Sequence, residues 1–368
     1  MPFSRYMEIC LYDPVAGYYS RNASQFGKAG DFYTSSDVHA VFGRLLARQF
    51  EEMWQALDRP AEIEILELGP GRGLFARDVL DWSRKKFPDF FAALKYTLQE
   101  SSPALRAKLQ ETLSDYVTSS KAGISMVETR LAPSAAVEVR LNSSNGTALI
   151  IFANEFLDAV PVEILGTQGK LHLVVDGTHL REVWLPPTEE ELAFLDRYSI
   201  HPEDNERIEV PLAAQAWVTQ SAKAIQRGFL VIVDYGYTRN EQLAGRHRGT
   251  LMAFRQHSAS ENPYEAPGEQ DLTAHVNFTA LFAKVEGAGM QTQKLLTQAQ
   301  FLMGIGEKTE FADAFEGCRL PQERAKVALQ LKHLVTPAGM GETFHVLLAS
   351  RGIDPAKVEK LCGLRFAM

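Results

Sequence analysis

Four strand-like runs in this chain each end at an acid or an amide, and these ends are where its chemistry is to be sought. Glu67 follows Ile63, Ile65 and Leu66. Glu100 closes the run 95–100. Asn154, Glu155 and Asp158 follow the run 148–153, and Asp234 closes 228–234. Acids set directly after buried strands cost free energy unless they are solvated or used. Asn154, Glu155 and Asp158 place one amide and two carboxylates in a single short turn. Paired carboxylates can grip a cation through charge-assisted hydrogen bonds or exchange a proton with it. The plainer reading is helix capping by Asn154, with the acids favouring a helix N-terminus; the two readings are compatible. His275 is the histidine to single out, although a lone histidine is more often structural.

The element that positions these groups is the stretch 63–76. It reads as a buried parallel strand, a glycine turn and the start of a helix. Gly69, Gly71 and Gly73 recur at spacing two. Glycines there allow a sharp turn and let a ligand approach the main chain with no Cβ in the way. A dinucleotide loop wants G-x-G-x-x-G, but Leu74 stands at the third glycine of that template. The pattern E-x-G-x-G-x-G resembles the first motif of class I S-adenosylmethionine methyltransferases. In that family the loop holds the methionine part of the cofactor, with the strand-end acid, here Glu67, nearby. Glu100 ends the second strand, where a carboxylate can accept from both ribose hydroxyls. Its plainer role is that of a surface acid ahead of a helix cap at Ser101 or Ser102.

Composition narrows the function classes. The net charge of −8 argues against nucleic acid as the main partner. The three cysteines, Cys10, Cys318 and Cys362, are too far apart for a CxxC pair, so neither structural zinc nor a disulfide framework is expected. No run approaches a membrane span, and the start of the chain carries no apolar signal core. A cytoplasmic, bacterial protein with no metal and no membrane insertion is the expectation.

The pattern predicts a doubly wound α/β sheet. Residues 1–60 read as an N-terminal lid and helix. In them Gly30, Asp31 and Thr34 form a polar loop one helix before the glycine turn, placed to close over a cofactor. Residues 61–161 and 213–368 read as the core, with substrate-side loops and a helical excursion within 238–340. Residues 162–212 break the βα rhythm and read as a β-hairpin insertion, whose exposed edges favour a homodimer. Strands are expected at 95–100, 123–127, 148–153, 228–237, 290–296 and 343–349. A helix capped by Asp271 or Thr273 is expected to run to Ala288, and another over 310–334.

Several separated motifs then agree. They are Tyr12-Asp13-Pro14 with Gly17-Tyr18-Tyr19, Gly30-Asp31-Phe32 with Thr34-Ser35, the glycine turn, Asn154 through Pro161, Asp234-Tyr235-Gly236-Tyr237, Asp271 through Val276, and Pro337 through Gly341. Together they resemble the MidA-like family of S-adenosylmethionine-dependent methyltransferases over nearly the whole chain. Asn277 stands where the family often has aspartate, and Phe254-Arg255-Gln256-His257 replaces a tyrosine-containing segment. The resemblance implies a class I methyltransferase, Rossmann-like doubly wound sheet with an antiparallel last strand, carrying β-hairpin and helical insertions. It implies S-adenosyl-L-methionine as cofactor, held by Gly30, Asp31, Thr34, Glu67, Gly69, Gly71, Gly73, Glu100 and Asn154. It implies methylation of a protein arginine, with a respiratory complex I core subunit as the acceptor known in the family. Glu155 and Asp158 would grip the guanidinium and His275 would relay its proton. Two other readings stay open: an assembly factor that binds the cofactor without turnover, and a methyltransferase for a small molecule.

Overall fold

The computed structural model describes residues 1–21, 40–117, 123–128, 139, 141, 146–177, 179–255, 258–260 and 262–367. Helix α1 (Phe3–Tyr12) and the single turn α2 (Tyr18–Arg21) open the chain, and α3 (Val41–Ala56) leads into the sheet. Strand β1 (Ile63–Leu68), helix α4 (Leu74–Lys86), β2 (Leu94–Glu100), α5 (Pro103–Thr112), β3 (Gly123–Glu128) and β4 (Ala148–Asn154) follow. Next come β5 (Glu163–Gly166), β6 (Gly169–Asp176), β7 (His179–Leu185) and β8 (Ile208–Val210), then α6 (Leu212–Ala224) and β9 (Gly228–Tyr237). The later strands are β10 (Met252–Arg255), β11 (Ser258–Ser260), β12 (Asp271–Thr273) and β13 (Val276–Asn277). Helix α7 (Phe278–Gly287), β14 (Gln291–Thr292), β15 (Leu296–Thr297), α8 (Gln298–Glu307), α9 (Pro321–Val335) and β16 (Phe344–Arg351) complete the core.

The main sheet has the order β14-β16-β9-β4-β1-β2-β3. Strands β3, β2, β1, β4 and β9 run parallel, and β16 is antiparallel to β9. This is the expected doubly wound sheet with an antiparallel late strand. Both faces are covered, which is why β4 and β9 read as unbroken apolar runs rather than alternating ones. On one face Ile65, Tyr96, Ile150, Phe152 and Val231 pack with α3 and α4. On the other, Leu66, Ile151 and Ile232 pack with Trp217 and Val218 of α6 and Leu281 of α7. Phe75 of α4 stacks on Phe152 at 4.5 Å between ring centroids, which fixes the helix after the glycine turn over β4.

The order reverses between β1 and β4, so the carboxyl ends of β1, β2, β4 and β9 meet at one crevice. Residues 162–212 form a four-stranded sheet, β7-β6-β5-β8, with a short helix over 189–198. Helix α1 packs on this insertion. Phe3, Tyr6 and Met7 share a core with Leu171, Leu173, Ala253 and Leu272, and Ser4 Oγ donates to Glu163 at 2.7 Å. The insertion therefore serves as the platform that holds the N-terminal tyrosines over the crevice.

Three expectations are corrected. Asp271–Thr273 does not cap a helix but pairs as a strand with β10. The cap of α7 is Asn277, whose side chain accepts from Ala280 N at 3.0 Å. The expected strand over 290–296 is two short pieces against β16, and the helix over 310–334 is interrupted at Gly317, whose φ is +89°, before Pro321 restarts it.

Candidate active site

A cavity of about 370 Å³ opens at the crevice, within the range of a small-molecule site. Its walls come from the glycine turn, the ends of β2, β4 and β9, α1–α2 and the region between α9 and β16. All three turn glycines have positive φ: +64° at Gly69, +54° at Gly71 and +76° at Gly73. Each makes a different use of the missing Cβ. At Gly69 a Cβ would meet the Phe156 ring at 2.7 Å, and at Gly73 it would meet Leu109 of α5 at 2.6 Å. At Gly71 it would meet nothing within 4 Å. Gly71 thus leaves bare main chain facing the cavity, where a ligand can approach. Gly73 lies outside the cavity wall and serves helix packing instead.

The two strand-end acids of this half are anchored locally. Glu67 is buried and accepts from the Tyr96 hydroxyl at 2.8 Å; burial pushes its carboxyl up to about 8. Glu100 accepts from Ser102 N at 2.8 Å, and burial pushes it up to about 7 against the opposing pull of backbone N–H groups. Ser102 caps α5 and donates through Oγ to the Tyr19 carbonyl at 2.6 Å. Gly30, Asp31 and Thr34 lie outside the described residues.

The other half is built from distant segments. Asp234 is fully buried and accepts from Phe156 N at 3.2 Å, Leu157 N at 2.9 Å and Tyr235 N at 3.0 Å. One carboxylate thereby ties the β4 loop to the end of β9. Within that loop Glu155 has φ +50°, in the sparsely allowed left-handed region, at a cost on the order of 1 kcal/mol. Asn154 Nδ2 donates to Glu155 Oε1 at 3.2 Å, while Asn154 Oδ1 is buried with no partner among the described residues. Asp158 accepts from the Tyr235 hydroxyl at 2.5 Å through Oδ2, and its Oδ1 is likewise buried and unpartnered. Burial lifts the Asp158 carboxyl to about 6. The structure therefore brings Glu67, Gly69, Gly71, Glu100, Asn154, Glu155 and Asp158 together on one cavity.

His275 is not on that wall. Its ring meets Tyr235 edge-on at 5.1 Å, one layer behind the cavity, and its Nδ1 faces His247 Nδ1 at 3.3 Å. Burial, and secondarily the His247 neighbour, lower it to about 4. Tyr12, Arg72, Trp217, His333 and Met340 line the cavity without having been named as site residues. Tyr12 and Met340 lay inside motifs that carried the resemblance. His333 carried no local signal, being one polar residue on an ordinary amphipathic helix.

The geometry fits a nucleotide-like cofactor along Gly69–Gly71 and Glu100, with a polar, partly unsatisfied pocket beyond it at Asn154, Glu155 and Asp158. Comparison with known proteins agrees. A family model described as S-adenosyl-L-methionine-dependent methyltransferase matches residues 45–296. A Drosophila melanogaster protein named protein arginine methyltransferase NDUFAF7 homolog, mitochondrial, is 29% identical, covering 98% of this chain and 84% of that protein. The Homo sapiens protein arginine methyltransferase NDUFAF7, mitochondrial, is 26% identical over 93% and 78% of the two chains. A crystal structure of a Burkholderia thailandensis protein bound to S-adenosyl-homocysteine superposes with a TM-score of 0.82 at 29% identity, covering 99% of this chain and 90% of that one.

Proposed function

Because the chain belongs to this family of S-adenosyl-L-methionine-dependent methyltransferases, we propose that it methylates an arginine side chain of a protein. The observation that carries the reading is Asp158: buried, held by Tyr235 through one oxygen, with the other unpartnered beside Glu155 on the cavity wall. A lone carboxylate oxygen in that position awaits a hydrogen-bond donor, and a guanidinium offers several in a planar fork.

The cofactor supplies a methyl group on a positively charged sulfur. Gly69 and Gly71 would carry its methionine part beside Glu67, Glu100 would accept from its ribose hydroxyls, and Asn154 would stand near the reacting centre. Glu155 and Asp158 would grip the guanidinium so that one nitrogen lies in line with the methyl, and positioning of this kind supplies most of the rate. The nitrogen that gains the methyl must release a proton. Asp158, at about 6, is ionised at neutral pH and close enough to it in acidity to receive that proton. His275, behind the wall, acts through Tyr235 rather than as the relay. The acceptor nominated by the sequence resemblance is a respiratory complex I core subunit. The named arginine methyltransferases among the relatives support the choice of arginine.

Tritiated S-adenosyl-L-methionine and the protein, added to extract from a strain lacking the gene, test this directly. A labelled protein band whose mass spectrum places methyl on arginine is expected. Label only in small molecules would favour a metabolite acceptor. Cofactor binding without any label would favour a non-catalytic assembly factor.

A further inference from the structure

The cavity has a wall that the roles above leave unused. Tyr12, at the end of α1, and Tyr19, in α2, lie with ring centroids 5.4 Å apart and both line the cavity. Tyr12 donates to the Ala159 carbonyl at 2.9 Å, which pins it to the same loop that carries Asp158. Tyr19 donates to Asp271 Oδ1 at 2.8 Å. Asp271 is 3% exposed and also lines the cavity, beside Phe254 and Thr273. Asp158 is 6% exposed with Oδ1 unpartnered. Both carboxylates act on the same two rings: Asp271 and Asp158 each help to raise the Tyr12 and Tyr19 hydroxyls, after burial itself.

We propose that Asp271, held by Tyr19, is a second carboxylate arm facing Glu155 and Asp158, and that with Tyr12, Tyr19 and Phe254 it forms a guanidinium-selective acceptor subsite. The inference rests on the arginine reading above and names residues that the reading does not need. Its logic is electrostatic. Acids at the end of β4 can hold only one side of a planar cation. Aromatic walls accept the face of a guanidinium, and a carboxylate on the opposite side accepts its remaining N–H donors. The strand that presents Asp271 is fixed by its pairing with β10, Asp271 opposite Phe254, so the arm is preorganised by the small three-stranded sheet.

The test uses the full chain saturated with S-adenosyl-homocysteine, titrated by NMR with N-acetyl-arginine amide and with its neutral isostere N-acetyl-citrulline amide. The wild-type protein is expected to prefer the arginine compound by roughly a hundredfold. Asp271→Asn is expected to weaken arginine binding by roughly tenfold, to leave citrulline unchanged, and to keep the affinity for S-adenosyl-homocysteine, which also certifies the fold. Tyr19→Phe, which removes the hydroxyl that orients Asp271, is expected to lose about threefold. Asp271→Asn with undiminished arginine preference overturns the second arm. Glu155→Gln and Asp158→Asn separate that failure from failure of the arginine reading. If they reduce arginine binding while Asp271→Asn does not, only the subsite falls. If wild type shows no arginine preference, both fall.

Discussion

The half of this cavity proposed for the cofactor and the half proposed for the acceptor are built on opposite plans. The cofactor half is local: Glu67, Gly69 and Gly71 lie within one βα turn, and Glu100 is held by Ser102 two residues on. The acceptor half is long-range. Asp234 holds the β4 loop from 77 and 78 residues away, Tyr235 reaches Asp158 across 77, and Tyr19 reaches Asp271 across 252. The local half has satisfied, anchored acids. The assembled half keeps a left-handed Glu155 and unpartnered oxygens on Asn154 and Asp158. Strain and unmet hydrogen bonds persist only where the surroundings enforce them, and here they fall on the side proposed for the acceptor. The halves touch where the Phe156 ring lies over Gly69, close to where a methyl group would change hands.

The comparison breaks first at Asp234. Alanine there strips three backbone N–H groups of their buried acceptor, a loss of about 3 kcal/mol. Methyl transfer is expected to fall by roughly a thousandfold or more as the acceptor loop loses its tie to β9. Calorimetric affinity for S-adenosyl-homocysteine is expected to stay within a few fold, because Glu67 and Glu100 are anchored by Tyr96 and Ser102 and not by that tie. If the two fall together, the halves are not separable.

The glycines sharpen it next. Gly71→Ala puts a methyl into the open cavity at positive φ, and a loss of roughly a hundredfold in S-adenosyl-homocysteine affinity is expected. Gly73→Ala collides with Leu109 instead. Its effect is expected in denaturant unfolding, about 1–2 kcal/mol, with affinity little changed. Equal affinity losses would return Gly73 to the cofactor wall.

How far the sequence could be read follows the same division. Strand β9 and the acid at its end were legible because an unbroken apolar run opened by glycine is a local signal, and β9 begins and ends as expected at 228 and 237; β1 was legible from the glycine turn that follows it. Asp271 misled, because Asp and Thr ahead of a helical pattern look like caps, whereas here they pair with β10, a partner some twenty residues earlier. Asn277, read as a departure from its relatives, supplies the cap and also donates to the Tyr198 carbonyl at 2.9 Å. Asp234 was visible as a strand-end acid, but its work as a triple acceptor depends on where the β4 loop comes to lie. His333 and Trp217 reach the cavity only through helix packing, which no spacing in the sequence encodes.

Glu100 gives a smaller effect with a pH signature. Burial raises its carboxyl to about 7, so below that pH it is largely protonated in the folded chain. Ribose hydroxyls donate to the ionised form. Cofactor affinity is therefore expected to rise between about pH 6 and about pH 8 and then level off. Glu100→Gln should lose roughly tenfold at the upper end and lack the part of the rise centred near pH 7, keeping only what Glu67, at about 8, contributes above it. A flat wild-type profile would mean that the carboxylate does not meet the ribose.

The smallest effect is expected at His275, and it separates positioning from proton transfer. The ring supports Tyr235 edge-on, and Tyr235 in turn holds Asp158, so in the proposed mechanism His275 acts through two other side chains. Its depression to about 4 leaves it neutral throughout the working range, with no titration of its own to impress on the rate. His275→Gln should lower kcat by roughly threefold through a looser Tyr235, with KM and the pH profile unmoved. Asp158 is the group whose titration the rate should follow, rising with pH through about 6 as the carboxyl ionises. Should His275→Gln instead abolish that inflection, the proton would travel through the histidine, and the acceptor half would extend one layer deeper than the cavity wall.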